Sequence, residues 1–156
     1  MDGIPSSLDP ADAVARRLLD RCELIELTNR YGRAVDQRDW PAFDQIFTED
    51  AEADYSSVVA RTNAAESTIL AEVRPSGRAA IVGWLRAARS GGEPLMHFMT
   101  NHIVDELADD HARTWHYVHE RQGAYGSYDI EAVRTPGGWR IARLVLDLTP
   151  RPSKAR

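Results

Sequence analysis

Apolar residues along this chain follow two regimes: helical three-to-four spacing up to about residue 89, then alternation from Pro94 onward. Asp9 followed by Pro10 supplies an N-cap and a first helical position. Val14, Leu18, Leu19, Leu24, Leu27, Tyr31 and Val35 carry the pattern on to about Asp36, which predicts a long helix with one buried face and a candidate break near Cys22. Asp39 is placed to cap a short second helix, Trp40 to Phe47, whose Trp40, Phe43, Ile46 and Phe47 form an apolar stripe. Ala51 to Tyr55 alternates small or aromatic residues with acids, the pattern of a strand with Ala51, Ala53 and Tyr55 on one face. Between 56 and 76 the pattern is weak: Thr68 to Val73 reads as a returning strand, with its turn around Asn63. Gly77 to Arg89 predicts a third helix that buries Ile81, Trp84, Leu85 and Ala88 and ends at Ser90-Gly91-Gly92.

Four strands are expected after that, at about Leu95 to Glu106, Ala112 to Gln122, Ala124 to Arg134 and Trp139 to Leu148, with turns at Asp109-Asp110 and Pro136-Gly137-Gly138. Helices first and strands last predict an α+β domain with helices packed on one face of a curved antiparallel sheet. The expected division is a loose N-terminal tail (1–8), one domain (9–149) and a short basic tail (150–156).

Composition narrows the function. In 156 residues the chain is 43% hydrophobic, enough for one real core. A net charge of −5 with interspersed signs argues against a nucleic-acid or anionic-membrane surface, and favours a neutral or cationic small ligand. One cysteine, Cys22, cannot form an internal disulfide, and no signal peptide or membrane-length apolar run is seen, so a cytoplasmic protein is expected. There is no phosphate-binding glycine loop and no nucleophile elbow, and the histidines His97, His102, His116 and His119 do not gather three ligands on one strand face. Neither a metal nor an organic cofactor is expected.

The candidate chemistry is a spaced set of four polar residues among apolar or small neighbours: Tyr31, Asp36, Tyr55 and His97. Two phenols, a carboxylate and an imidazole can polarise a carbonyl and move a proton unaided. Tyr31 and Asp36 lie roughly 140° apart around a helix, close enough for one wide buried face. Gly32, one turn before Asp36, leaves room beside the carboxylate for a ring. His97 would face opposite to Met96 and Phe98, and on an unbroken strand opposite to His102. His119 shares a face with Trp115 and Tyr117 and is a candidate cavity residue, whereas His111 belongs to a turn. Trp84, Phe98, Trp115, Tyr128 and Trp139 read as core or cavity wall.

The run Tyr31-Gly-Arg-Ala-Val-Asp36-Gln-Arg-Asp-Trp40, with Phe47-Thr-Glu-Asp50, Gly77-Arg-Ala-Ala-Ile81, Met96-His97-Phe98 and Gly138-Trp-Arg-Ile141, resembles the SnoaL-like branch of the nuclear transport factor 2-like superfamily over about residues 15 to 148. The resemblance implies a cone-shaped α+β barrel with a deep apolar cavity, helices on its concave face, and a homodimer joined through the open sheet. Tyr55 stands where the ketosteroid isomerases of this fold keep their aspartate base, and the Arg-x-Asp pair of the epoxide hydrolases is missing from Thr114 to Glu120. Asp36, Tyr55 and His97 resemble the aspartate, tyrosine and catalytic histidine of scytalone dehydratase-like enzymes, and with Tyr31 they also look like the site of bile-acid 7α-dehydratases. A second histidine of the scytalone enzymes has only Gln122 or His119 as counterpart.

These residues together lead to an expected elimination of water from a polyketide-like or steroid-like β-hydroxy carbonyl compound. Tyr31 and Tyr55 would hold the enolate, His97 would take the α-proton and then protonate the departing hydroxyl, and Asp36 would orient His97. His119, Trp115, Phe98, Tyr128 and Trp84 would line the substrate. The alternatives are a cyclase or isomerase using the same groups, and a non-catalytic binding module.

Overall fold

The structure, a computed structural model, describes residues 9–58, 72–91, 95–121 and 123–148. Helix α1 (Pro10–Gln37) starts where Asp9 accepts the amide of Ala11 at 3.1 Å, and it stops at Arg38, whose left-handed backbone donates to Ala34 and Val35. It runs through Cys22 without a break. Burial of α1 begins only at Asp20: Val14, Leu18 and Leu19, expected on the core face, are 59%, 60% and 63% exposed. Leu24, Leu27, Tyr31, Ala34 and Val35 are the positions that do enter the core.

Trp40–Gln45 is a 3-10 helix and not the longer α-helix expected, and Asp39 makes no side-chain cap there. Phe47 already opens strand β1 (Phe47–Asp54), and Phe43, Ile46 and Phe47 are all buried in the core. Ala51, Ala53 and Tyr55 share the buried face, as expected. The amides of Tyr55 and Ala53 donate to Val73 and Pro75, and that of Gly77 to Ala51, so residues 73–77 run along the outer edge of β1. The expected turn at Asn63 and the first part of the expected strand, 68–71, lie outside the described residues. Helix α2 (Arg78–Ala88) buries Ile81, Trp84 and Leu85.

The other strands are β2 (His97–Leu107), β3 (His111–Glu120), β4 (Tyr125–Thr135) and β5 (Gly138–Leu148). They form one sheet in the order β1-β5-β4-β3-β2. Three pairings are antiparallel, but β1 runs parallel to β5. The sheet is therefore mixed and open: the expected antiparallel pairings are present, with one parallel pairing beside them. Periodicity shows that a segment is a strand and cannot show its neighbour.

Strand parity decides what faces the core. On β3 the inward residues are Ala112, Thr114, His116, Val118 and Glu120. On β2 the register slips between Thr100 and Ile103 and again between Val104 and Glu106. Each slip inserts one extra β2 residue, and Asn101, with φ of 57°, sits in the first. His97, Met99, His102, Val104 and Leu107 consequently face inward together, which corrects the expectation that His102 would oppose His97.

A polar cluster fastens α1 to the sheet. Asp20 accepts from the Trp139 indole at 3.3 Å and pairs with Arg134 at 2.6 Å, whose guanidinium lies 4.3 Å over the Trp139 ring. Farther along, His116 is fully buried against the rings of Tyr128 (5.4 Å) and His102 (5.0 Å), and neither of its nitrogens has a hydrogen-bond partner among the described residues. Burial, and then the neighbouring His102, push His116 down from 6.5 to about 4. Between those values the unfolded chain binds the extra proton, so stability is full above pH 6.5 and is lost as pH falls toward 4. The expected loss over that window is about 3 kcal/mol. Urea midpoints measured across it should drop in the native protein and drop less in His116→Leu.

No helix among the described residues is long and apolar enough to cross a membrane.

Candidate active site

Asp36 and His97 meet between the last turn of α1 and the first residue of β2. His97 Nδ1 lies 2.5 Å from Asp36 Oδ1, and the His97 amide donates to Asp36 Oδ2 at 2.9 Å. Both carboxylate oxygens thus serve one residue. The pairing makes Nδ1 the protonated nitrogen facing Asp36 and turns Nε2 away from it. The two side chains are 18% and 4% exposed, which keeps water from competing for the contact.

Gly32 makes this approach possible in a way different from the expected one. A Cβ there would sit 2.8 Å from Met99 Cε and 3.4 Å from His97 Cβ, so the room beside the helix is filled by β2 itself and not left for a ligand ring. On the outer side, Asn29, Arg33, Asp36, Met96 and His97 bound a groove of about 410 Å³.

The phenols form a second group. Tyr31 Oη and Tyr55 Oη are 3.1 Å apart and both rings are buried. Tyr31 packs edge-on to Phe43, Phe47 and Tyr128, with ring centroids 6.1, 5.9 and 5.5 Å away. Tyr55 is stacked on Trp84 at 4.3 Å, and the buried Trp84 Nε1 has no hydrogen-bond partner among the described residues. Burial pushes Tyr31 up to about 12, against the lowering effect of its hydrogen bonds to Tyr55 and Tyr128, and pushes Tyr55 and Tyr128 well above the ordinary phenol value. At neutral pH all three are therefore donors.

A further acid, Glu120, belongs with the Asp36–His97 pair, and the sequence reading missed it. It stands directly across the β2/β3 ladder from His97, with Oε1 3.6 Å from Nε2. Its negative charge contributes to the upward shifts of Tyr31 and Tyr128. The alternation that puts Thr114, His116 and Val118 inward also points at Glu120, but an acid at a strand end reads as solvated unless the opposite residue is known. Arg89, just beyond α2, is a further basic group here: burial and Arg38 lower it, while Glu120 and Asp36 oppose that.

Three expected substrate contacts are corrected. Trp115 and His119 lie on the face of β3 opposite to Glu120, and Phe98 is 47% exposed on the matching face of β2, where it packs against His119 at 6.0 Å. Strand alternation forces this once His97 faces inward. Tyr128 and Trp84 do lie on the interior side with the phenols. His111 is exposed beside Asp110, and Gln122 lies outside the described residues. Among the described residues no three His, Cys, Asp or Glu side chains converge as a metal site requires.

Residues 16–145 match the family model described as a SnoaL-like domain. The chain belongs to the SnoaL-like family. Solved structures place this SnoaL-like protein in the nuclear transport factor 2-like superfamily. One is an NTF2-like protein with a cystatin-like fold from Novosphingobium aromaticivorans, 25% identical, with a TM-score of 0.68 over 98% of this chain and 97% of that one. A provisionally assigned aromatic ring hydroxylase from the same organism is 27% identical, with a TM-score of 0.67 over 84% of this chain and 90% of that one. A provisionally assigned scytalone dehydratase, also from that organism, shares the fold at 19% identity, with a TM-score of 0.70 over 87% and 88% of the two chains. No curated protein matches the sequence.

Proposed function

We propose that this SnoaL-like protein is a metal-independent, cofactor-independent dehydratase acting on a small polyketide-like or steroid-like β-hydroxy carbonyl compound. The observation that carries the reading is the double contact of Asp36 with His97, which presents Nε2 as the group that exchanges a proton with substrate. Three phenols joined by the two hydrogen bonds of Tyr31 leave one O–H free to donate, and high burial keeps it protonated. Tyr31 and Tyr55 are thereby suited to hold a carbonyl oxygen as it becomes an enolate, worth about 10²–10³ in rate for one such donor. Trp84 and Tyr128 supply the apolar walls, and the orphan indole N–H of Trp84 offers a further donor. The test is product mass on a panel of fused-ring β-hydroxy ketones: loss of about 18 daltons supports dehydration, whereas unchanged mass assigns the same residues to cyclisation or isomerisation. Tight binding without turnover would make the protein a binding module.

The exposed face of the sheet, with Phe98, Ile103 and Tyr117 each about half exposed, is proposed as the seat of a second copy of the chain. Sedimentation at a dimer mass is the expected result.

A further inference from the structure

Dehydration needs one proton taken from carbon and another given to oxygen. A single imidazole doing both must first be neutral at Nε2, but here a carboxylate faces each of its nitrogens: Asp36 at 2.5 Å on Nδ1 and Glu120 at 3.6 Å from Nε2. With a carboxylate in front of Nε2, a proton on that nitrogen and the lone pairs of Glu120 can serve as separate acid and base. The second contact is longer than a hydrogen bond, leaving both groups able to engage neighbouring atoms of one substrate. Glu120 is well held for such a role. Its amide donates to the Ala124 carbonyl and its own carbonyl accepts from Gly123, both at 2.8 Å, and its side chain is only 19% exposed.

Resting on the dehydration reading above, we propose that Glu120 is the base of this site, taking the α-proton from carbon, and that His97 is the acid, giving its Nε2 proton to the departing hydroxyl. The Cα–H bond breaks as the O–H bond on Glu120 forms, and its electron pair enters the enolate held by the phenols. Collapse of the enolate breaks the C–O bond, and the hydroxyl leaves as water with the Nε2 proton. Glu120 is then a neutral acid and His97 a neutral imidazole. A proton passed from one to the other through the released water restores the starting state. No redox partner is required.

Two probes separate the steps. α-Tetralone in heavy water reports enolisation alone, by exchange of its α-hydrogens followed by NMR. The same ketone with a hydroxyl β to the carbonyl on its saturated ring reports the whole reaction, by release of α-naphthol. Glu120→Gln is expected to lose both, each by about 10²-fold or more. His97→Gln is expected to lose dehydration at least about tenfold more than exchange. Exchange that survives in folded Glu120→Gln, or that falls as far in His97→Gln as in Glu120→Gln, overturns the assignment. Should Glu120→Gln fail to fold, Glu120→Asp decides, since drawing the charge back one methylene should slow exchange about tenfold and unchanged exchange refutes the proposal. A native protein inert toward both probes would instead reject the dehydration reading on which this rests.

Discussion

His97→Ala is expected to lower kcat by about 10³-fold or more while leaving the circular dichroism spectrum native. The fold should survive because Asp36 keeps one contact after the ring is gone: the residue-97 amide still donates to Oδ2, as it does now at 2.9 Å. Asp36→Ala should cost a comparable factor, since the ring then loses the partner that orients it. Groups that act as a unit are not additive, so the double variant should be little worse than either single one. Steady-state rates of all three, on the hydroxylated tetralone probe, check this. Unchanged turnover in pure, folded His97→Ala would remove the imidazole from the mechanism.

The largest expected effect on stability comes from a residue with no side chain. Gly126 on β4 pairs with Leu148 on β5, and a Cβ there would overlap the Asp147 carbonyl oxygen and lie 2.8 Å from Leu148 Cα. Both neighbours are backbone, which cannot step aside as a side-chain end can. Gly126→Ala should therefore destabilise the fold by about 3 kcal/mol or more, read as a lower urea midpoint with an unchanged slope. Gly83, within α2, is the control: a Cβ there meets nothing within 4 Å. Gly83→Ala should stabilise by about 0.5–1 kcal/mol, because alanine loses less backbone entropy in a helix. Equal effects at the two positions would show that close packing of β4 on β5 is not the cause.

Side-chain periodicity was enough to find α1, α2 and all four C-terminal strands, because burial of one face imposes a repeat on any segment that has such a face. It was also enough to mark Tyr31, Asp36, Tyr55 and His97, since polar groups among apolar neighbours stand out without coordinates. Where the pattern misled, the presence or the absence of a contact with a distant segment had overridden it. Val14, Leu18 and Leu19 keep helical spacing but lie before Asp20, where burial of α1 begins. The two slips in β2 add residues that no alternation count anticipates, and the first of them brings His102 round to the side of His97. Trp115, His119 and Phe98 are aromatic in the way a cavity wall is, yet parity sends them outward.

The sequence by itself determined the elements, the α+β class and the chemical types available, since these follow from the spacing of residues within short segments. Only the tertiary structure decided which strand lies beside which, the parallel pairing of β1 with β5, and the meeting of Glu120 with the far side of the His97 ring. Those are pairings between residues far apart in the chain, set by register and by close approach of backbones. A local pattern carries no record of them.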